Sequence, residues 1–378
     1  MEFIDLKSQY NRIADGINGR FSDIMRSSRF ISGKETGELE ARLAEYVGVK
    51  HCVSCSSGTD ALLMPLMAWN VGKNDAVFVP AFTFFATAEV VSMVGAEPIF
   101  VDVEPDSFNM DVDKLRKAVN RVKAEGRLRP RGVIAVDLFG QPAKNTEIQQ
   151  LARDCGIFFL EDAAQGFGGR IGERKAGSFG DAAATSFFPA KPLGCYGDGG
   201  AIFTNDDTLV NILRSIRTHG QGTEKYDNVR IGMNARLDNM QAAVLLEKLK
   251  IFDEEADIKN AAAKRYGELL ASALEIPTVK PGYYSSWAQY SLRAANNEER
   301  RLIIERLKSK GVPTAIYYKT PLHKQPVYSG YDSRGDDLSI SEDLCQRIFS
   351  IPMHAYLTET DIELIIKAIL EACSDYRK

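Results

Sequence analysis

Lys191 and Asp162 are the residues of this chain whose types and spacing best fit a defined chemistry. Lys191 lies 29 positions after Asp162 and five positions after Ser186. The neutral amine of a lysine forms a Schiff base with an aldehyde cofactor. An upstream aspartate matters because pyridoxal 5'-phosphate (PLP) needs a carboxylate on its ring nitrogen to act as an electron sink. The hydroxyl of Ser186 could donate to the phosphate while Lys191 reaches the aldehyde carbon. Together the three residues predict a PLP enzyme.

Lys191 and Asp162 each have an ordinary structural explanation as well. Lysine is usually a solvated surface residue, and an aspartate in this place could simply cap a helix. The apolar neighbours Phe188 and Leu193 leave little reason for a surface charge, and such surroundings lower the pKa of a lysine towards reactivity. Glu161 competes with Asp162 for the ring nitrogen, but strand alternation directs these two carboxylates to opposite faces.

The elements that must position these residues alternate between short β-rich runs and helical stretches. The predicted strands are His51–Ser56, Ala76–Pro80, Pro98–Val103, Val133–Phe139, Ile157–Glu161, Ala183–Phe188 and Ala201–Thr204. The predicted helices are Thr59–Trp69, Thr83–Val94, Val112–Lys123 and Asn145–Asp154. Apolar strands separated by helices predict an α/β fold, in which a mostly parallel central sheet is covered on both faces.

Further candidate motifs follow the ends of predicted strands. Gly58 and Thr59 precede a helix, whose N-terminal N–H groups and dipole suit a phosphate, although Thr59 could equally cap that helix. Phe84 could lie flat on a pyridine ring, although an aromatic residue after a strand is more often part of the core. Gln165 comes one turn after Asp162 and could bond the phenolic oxygen of PLP or brace its ring. Because ligands of open α/β sheets bind beyond the carboxyl ends of strands, we expect these motifs to project to one side.

The length of the chain, 378 residues, suits two domains. Residues 1–253 are predicted to form a large PLP-binding domain with an N-terminal helical segment. A long helical pattern that starts after Asn239 and runs to Leu270 connects it to a smaller α+β domain of residues 254–378. The elements predicted in the smaller domain are strands Tyr290–Arg293 and Pro313–Tyr318 and helices Glu298–Lys310, Ser341–Ile348 and Thr360–Cys373. Residues 332–337 are predicted to form a polar surface loop.

Composition and charge argue against several classes of protein. The net charge of −4 gives no reason to expect binding to nucleic acid or to an anionic membrane. No stretch approaches the roughly 18 apolar residues of a membrane span, and no export signal is visible at the N-terminus. Six scattered cysteines suit a reduced, cytoplasmic protein. Cys52 and Cys55 form a CxxC, but we interpret them as buried thiols of a strand, and no metal site is predicted.

Several motifs of the chain resemble the DegT/DnrJ/StrS sugar aminotransferases. The resemblance is carried by residues 57–62, 80–87, 161–165, 186–200 and 234–237, and it spans essentially the whole chain. It implies a PLP enzyme of fold type I, similar in architecture to aspartate aminotransferase. It also implies a homodimer with shared active sites and pyridoxamine phosphate as the intermediate form of the cofactor.

The resemblance implies a role for each candidate residue. Lys191 would link to the cofactor and shuttle a proton, and Asp162 would bind the pyridine nitrogen. Phe84 would stack on the ring, and Gln165 would support it. The phosphate would be held by Gly58, Thr59, Ser186 and, from the neighbouring subunit, Asn234. Some relatives in which histidine replaces the lysine are dehydratases or regulators, and Lys191 argues against that branch.

Within the family, the run Lys191–Gly200 looks most like members that aminate a UDP-3-keto sugar, notably UDP-2-acetamido-3-keto-glucuronate, with glutamate as the amino donor. Arg236 could then clamp the sugar carboxylate with two hydrogen bonds, or it could be a structural arginine at the start of a helix. The residues that fall in the substrate-side loop of the family are Tyr317, Tyr318 and His323. Lys319 stands in this loop where family members commonly carry proline, and Gly166 replaces a commoner serine.

Two other functions stay open at the level of the sequence. A UDP- or dTDP-4-keto sugar aminotransferase would use the same cofactor residues, because regiochemistry depends on how the sugar lies over the cofactor. A non-enzymatic regulator of the same fold would need a DNA-binding element or a basic patch, and neither is visible in the sequence.

Overall fold

A seven-stranded sheet lies at the centre of the fold in residues 1–224, 226–330 and 337–377, which the computed structural model describes. The strands up to residue 204 are β1 (His51–Cys55), β2 (Asp75–Pro80), β3 (Glu97–Val101), β4 (Arg129–Val136), β5 (Phe158–Asp162), β6 (Arg170–Ile171), β7 (Arg174–Lys175), β8 (Ala182–Ser186) and β9 (Gly200–Thr204). The sheet has the order β1-β9-β8-β5-β4-β2-β3. β9 is antiparallel to both of its neighbours, and the other pairs are parallel. The predicted α/β fold with a mostly parallel sheet is confirmed.

The strands of this sheet are apolar on both faces, and helices therefore cover both. All residues of β2 are buried, as are all residues of β5. Val77 and Val79 of β2 pack in one cluster, whereas Ala76 and Phe78 pack in another on the opposite face. The helices around the sheet are α1 (Leu6–Ser27), α2 (Lys34–Val47), α3 (Gly58–Ala68), α4 (Ala86–Met93), α5 (Val112–Glu125), α6 (Asn145–Cys155), α7 (Asp207–Ile216) and α8 (Asn239–Leu249).

Local sequence signals explain where such a helix begins and ends, as α5 shows. The side chain of Asp111 caps its first turn by accepting from the backbone N–H groups of Asp113 (2.8 Å) and Lys114 (3.0 Å). Gly126 ends the helix with a φ of 65°, a conformation in which glycine carries no steric penalty.

The rest of the chain forms a second core around an antiparallel pair of strands. Its elements are α9 (Phe252–Leu270), β10 (Tyr283–Tyr284), β11 (Tyr290–Arg293), α10 (Asn297–Ser309), α11 (Ser339–Arg347), β12 (Ile348–Ile351) and α12 (Glu359–Tyr376). β11 pairs with β12, and β10 joins β6 and β7 in a small sheet. We propose that the boundary between domains 1–253 and 254–378 lies in the first turn of α9. Phe252 packs in the core of the large domain and Ala262 in that of the small one.

Some of the predicted elements were wrong. The strand at Pro313–Tyr318 is absent from the described structure, where Ala315 makes only an isolated bridge to Ser350. The two tyrosines at the end of the segment contribute to the wall of a cleft described below. The helical pattern after Asn239 is divided between α8 and α9, which are separated at residues 250–251. The strand predicted up to Phe139 ends at Val136. The loop predicted at 332–337 lies outside the described residues, apart from Asp337.

Two predictions based on composition can be compared with the structure. Cys52 and Cys55 are free thiols buried in β1, which confirms their interpretation as strand residues. Burial raises the pKa of both thiols, which makes them less reactive. None of the helices in the described residues combines the length and the apolar character needed to cross a membrane.

Candidate active site

A cleft of about 710 Å³ opens beyond the carboxyl ends of the parallel strands. Lys191 lies in its wall. The other predicted cofactor residues in the wall are Gly58, Thr59, Phe84, Asp162, Gln165 and Ser186. They come from the ends of four strands, β1, β2, β5 and β8, or from the segments that follow them. The prediction that the strand-end motifs meet on one side is therefore confirmed.

Lys191 lies in the loop that joins β8 to β9, and backbone hydrogen bonds hold this loop in place. The N–H of Lys191 donates to the carbonyl of Phe188 (2.8 Å), and the N–H of Cys195 donates to that of Phe187 (2.7 Å). Burial lowers the pKa of the Lys191 ammonium, and the negative charge of Asp162 opposes this shift. A lowered pKa increases the fraction of neutral amine, which is the form that attacks an aldehyde.

Asp162 ends β5 with its carboxyl group buried in the wall of the cleft. Oδ1 accepts from the backbone N–H of Ala164 (3.1 Å), and Oδ2 accepts from Oγ1 of Thr87 (3.3 Å). Burial raises the pKa of this carboxyl group, whereas the bond from Ala164 and the charge of Lys191 act in the opposite direction. A buried carboxylate of this kind gains strongly from a protonated ring nitrogen, because a charge in such a place needs a partner.

Glu161 faces away from the cleft, as strand alternation predicted. Its Oε1 accepts from the backbone N–H of Gly177 (2.8 Å), and its Oε2 accepts from that of Phe179 (2.9 Å). Asp162 is therefore the carboxylate of this pair that a ligand in the cleft can reach.

The start of α3 and the end of β8 form the part of the cleft that suits a phosphate. Ser57 caps α3, because its Oγ accepts from the N–H of Asp60 at 3.0 Å. The alternative in which Thr59 caps this helix is wrong, and Thr59 lines the cleft instead. A Cβ atom on Gly58 would lie only 2.5 Å from Cβ of Ser186, so glycine is needed for this close approach.

Aromatic rings and one amide form the neighbouring part of the wall. Phe84 is 55% exposed and lines the cleft, so its ring is not a core residue. Its centroid lies 6.4 Å from that of Tyr318. Gln165 fixes Tyr318 in place, since Nε2 donates to the phenolic oxygen (3.1 Å) while Oε1 accepts from the N–H of Phe139 (2.8 Å). A bond from Gln165 to the cofactor stays a prediction.

The substrate-side residues predicted from the resemblance do not all reach the cleft. Tyr317 and Tyr318 line it. His323 is turned away, with Nε2 lying 3.1 Å from Oε1 of Glu342 and its ring centroid 6.3 Å from that of Phe100. The structure therefore gives no contact through which His323 of this chain would touch a ligand in the cleft.

Asn234 and Arg236 lie outside the cleft of their own chain. Nη2 of Arg236 donates to Oδ1 of Asn234 at 2.7 Å, and Asn234 is exposed. Asn234 is predicted to act in the cleft of a neighbouring subunit, and its exposed position leaves it accessible to one.

Three residues of the site, Ser57, Thr87 and Gln289, are not among the candidates predicted from the sequence. Ser57 and Gln289 line the cleft, and Thr87 donates a hydrogen bond to Asp162, which also lines it. The sequence does contain a signal for Ser57, because a serine three residues before Asp60 is typical of a helix cap. Thr87 lies in the same motif as Phe84, but nothing in its spacing indicates a contact with Asp162. Gln289 reaches the cleft from the segment before β11, and no local pattern reveals such a long-range approach.

The residues of the cleft fit PLP. The phosphate would find three suitable features: the start of α3, the closely packed backbone at Gly58 and the neighbouring hydroxyl groups. Asp162 suits the ring nitrogen, and Phe84 offers an exposed ring beside it. Lys191 supplies an amine whose pKa is already lowered. The chemistry of this set therefore agrees with the cofactor predicted from the sequence.

Comparisons with known proteins agree with this geometry. The profile of the DegT/DnrJ/EryC1/StrS aminotransferase family matches residues 11–370. The chain is 42% identical over 370 residues to the UDP-2-acetamido-2-deoxy-3-oxo-D-glucuronate aminotransferase of Pseudomonas aeruginosa, covering 98% of this chain and 99% of that protein. It is 38% identical over 372 residues to the "Pleiotropic regulatory protein" of Geobacillus stearothermophilus, covering 97% of each.

A solved structure extends the likeness to the fold. The DegT DnrJ EryC1 StrS aminotransferase from Brucella abortus matches with a TM-score of 0.95 at 49% identity, covering 98% of this chain and 99% of that one. This match confirms the fold-type-I architecture expected from the sequence. The protein therefore belongs to the DegT/DnrJ/EryC1/StrS aminotransferase family, and its cofactor is PLP.

Proposed function

We propose that this protein transfers the amino group of glutamate to the keto carbon of a UDP-linked 2-acetamido-3-keto uronic acid. The observation that carries the activity is the placement of Lys191 and Asp162 in the wall of one cleft. The choice of substrate is supported by the Pseudomonas aeruginosa relative, which matches nearly the whole chain.

The residues of the cleft bind the reactants and move protons between them. Bound PLP supplies an electron sink for the carbanion that forms when a proton leaves the carbon beside the amino group. Neutral Nζ of Lys191 removes that proton from the amino donor, and its protonated form delivers a proton to the sugar carbon that receives the amine. Asp162 keeps the ring nitrogen protonated, and its bonds from Thr87 and Ala164 hold the carboxylate in position.

A second copy of the chain is proposed to complete each active site. Asn234 and Arg236 lie outside their own cleft, and the segment that leads to them exposes large apolar side chains. Val229 is 55% exposed and Ile231 is 85% exposed, and exposed apolar groups of this kind mark protein interfaces. In the homodimer, Asn234 would reach the phosphate of the neighbouring site and Arg236 would bind the sugar carboxylate there.

We assign this reaction to the cytoplasm and to the synthesis of a surface polysaccharide such as lipopolysaccharide. The free cysteines support a reducing compartment. The pathway is supported by the substrate named for the Pseudomonas aeruginosa relative, an amino-sugar precursor.

A non-enzymatic regulator is the second candidate, because one relative carries a regulatory name. Lys191 favours the enzyme, since a regulator has no need for an amine of lowered pKa that shares a cleft with a buried carboxylate. Purified protein with PLP should show a visible absorption band, and borohydride should remove it and attach the cofactor mass to the peptide that contains Lys191. Protein that shows no band after addition of PLP would favour the regulator.

A substrate panel tests the sugar and the carbon that is aminated. UDP-3-keto, UDP-4-keto and dTDP-4-keto sugars are each supplied with glutamate, and 2-oxoglutarate is measured. We expect the highest kcat/KM with UDP-2-acetamido-3-keto-glucuronate. A preference for a 4-keto sugar would replace the proposed substrate, and transfer to none of the sugars by PLP-loaded protein would contradict the proposed activity.

A further inference from the structure

Lys319 is the one positive charge, apart from Lys191, that lines the cleft within the described residues. The charged side chains in the wall are Asp162, Lys191, Asp198 and Lys319. Asp162 and Lys191 are assigned to the cofactor, and Asp198 would repel an anion. The diphosphate of a nucleotide sugar carries two negative charges, and Lys319 is the group in this wall that can offset them.

Hydrogen bonds tie the neighbours of Lys319 on both sides to the large domain. On one side, the phenolic oxygen of Tyr318 accepts from Nε2 of Gln165 at 3.1 Å. On the other side, the N–H of Leu322 donates at 2.8 Å to the carbonyl of Ala81, which directly follows β2. Lys319 therefore lies on a short span that is fixed relative to the cofactor residues at the ends of β2 and β5.

The environment of Lys319 leaves its charge available to a ligand. The side chain is exposed, and it forms no ion pair with any residue in the described ranges. By contrast, Lys324 on the same segment is paired with Oε2 of Glu342 at 2.6 Å. Because Lys319 lines the cleft and is also exposed, it lies at the mouth of the cleft. The diphosphate is expected at this mouth when the sugar lies over Lys191.

We propose that Lys319 is a substrate-binding residue whose ammonium group pairs with the diphosphate of the nucleotide-sugar substrate. This inference rests on the proposed function and adds a residue to it. An ammonium group on a flexible side chain can pair with phosphate oxygens.

The test measures binding of UDP and of uridine to the PLP-loaded enzyme by titration calorimetry. In Lys319→Met the dissociation constant for UDP is expected to rise about tenfold, since one charge-assisted hydrogen bond is lost. Lys319→Arg should keep most of the affinity. Lys324→Met is the matched control, and it should bind UDP as the wild type does. Uridine has no phosphate, so its binding should be equal in all four proteins.

Any of the following results would overturn the inference. The first is equal UDP affinity in wild type and Lys319→Met, or no measurable UDP binding by the wild type. The second is a parallel loss of uridine binding, which would indicate a displaced loop rather than a lost charge. The third is a raised KM for glutamate with unchanged UDP affinity, which would assign Lys319 to the carboxylate of the amino donor. UDP binding needs no amino transfer, so an enzyme that binds UDP as expected but aminates no sugar would contradict only the proposed function.

Discussion

Lys191 and Asp162 influence each other's protonation across the cleft. Burial favours the neutral form of both groups, whereas the charge of each favours the charged form of the other. The amine is active when neutral, and the carboxylate is useful to the cofactor when ionised. Both groups are therefore in their useful forms only at a pH at which each of them has lost its proton.

Replacement of Asp162 by asparagine should shift the pH dependence of cofactor capture. Without the negative charge, the Lys191 ammonium is less stable, so its pKa, already below the ordinary value, is expected to fall further. Capture of PLP by apoprotein, followed by its visible band, should become half-maximal at a lower pH than in wild type. Turnover should fall about a hundredfold, because the ring nitrogen loses its carboxylate. An unchanged or higher half-maximal pH would contradict the coupling.

Gly58→Ala tests whether the close approach between α3 and β8 builds the phosphate site. The new Cβ would lie 2.5 Å from that of Ser186, and overpacking of this kind costs about 1–3 kcal/mol. PLP affinity is expected to fall about tenfold or more, measured by equilibrium titration of apoprotein. Gly37→Ala is the control, because α2 has open space at that position and alanine should stabilise the helix by about 1 kcal/mol. Equal PLP affinity in both variants would refute this role of Gly58.

At this scale, the sequence was sufficient to predict that most cofactor candidates lie in one cleft, because they directly follow strand ends. It failed where the choice depended on a single turn. Ser57 and Thr59 are both good cap residues, and only the position of the first helical residue decides between them. It also failed for His323, since the direction in which a loop side chain points depends on neighbours such as Glu342 that are distant in sequence.

Among the elements, the central strands were predictable because strands buried on both faces read as continuous apolar runs. The break between α8 and α9 was not, because Leu245 and Phe252 pack in the same cluster and the apolar spacing continues across it. The sequence of segment 313–318 predicts a strand incorrectly for a related reason. Its residues line the cleft or form a single β-bridge, and they do not form the continuous hydrogen-bond ladder of a strand.

The segment before β11 contributes Gln289, whose replacement should separate the two substrates. Gln289 lines the cleft, and its Oε1 atom is buried without a hydrogen-bond partner among the described residues. An unpaired buried acceptor costs about 1–3 kcal/mol, so a donor from the ligand is expected there. Sugar hydroxyl and acetamido groups offer such donors, whereas the only donor of glutamate at neutral pH is the amino group that reacts at the cofactor.

In Gln289→Leu, steady-state kinetics should show a KM for the nucleotide sugar raised about tenfold and a KM for glutamate close to that of wild type. Gln289→Asn keeps an amide acceptor without adding a charge and serves as the control. If both KM values rise together in Gln289→Leu, the residue supports the cleft without contacting the sugar.

At the scale of the whole molecule, the proposed sharing of active sites can be tested by mixing two inactive variants. Lys191→Ala removes the base from its own cleft, and Arg236→Ala removes the proposed clamp from the neighbouring one. When the two are unfolded and refolded together, random pairing gives mixed dimers with one intact site, so activity should return to about one quarter of wild type. Activity that stays at the level of the separate variants would place Arg236 in the cleft of its own chain, or outside the reaction.

The loop that carries Lys191 joins β8 to β9, which are hydrogen-bonded neighbours within the sheet. A cofactor held by this loop, by the start of α3 and by the end of β5 therefore ties together segments that must separate when the protein unfolds. Because a ligand that binds only the folded chain stabilises it, the supply of vitamin B6 should affect how long the protein survives in the cell. Chains made while the vitamin is scarce are expected to open more often and to be degraded sooner, so that the amount of enzyme follows the supply of its cofactor.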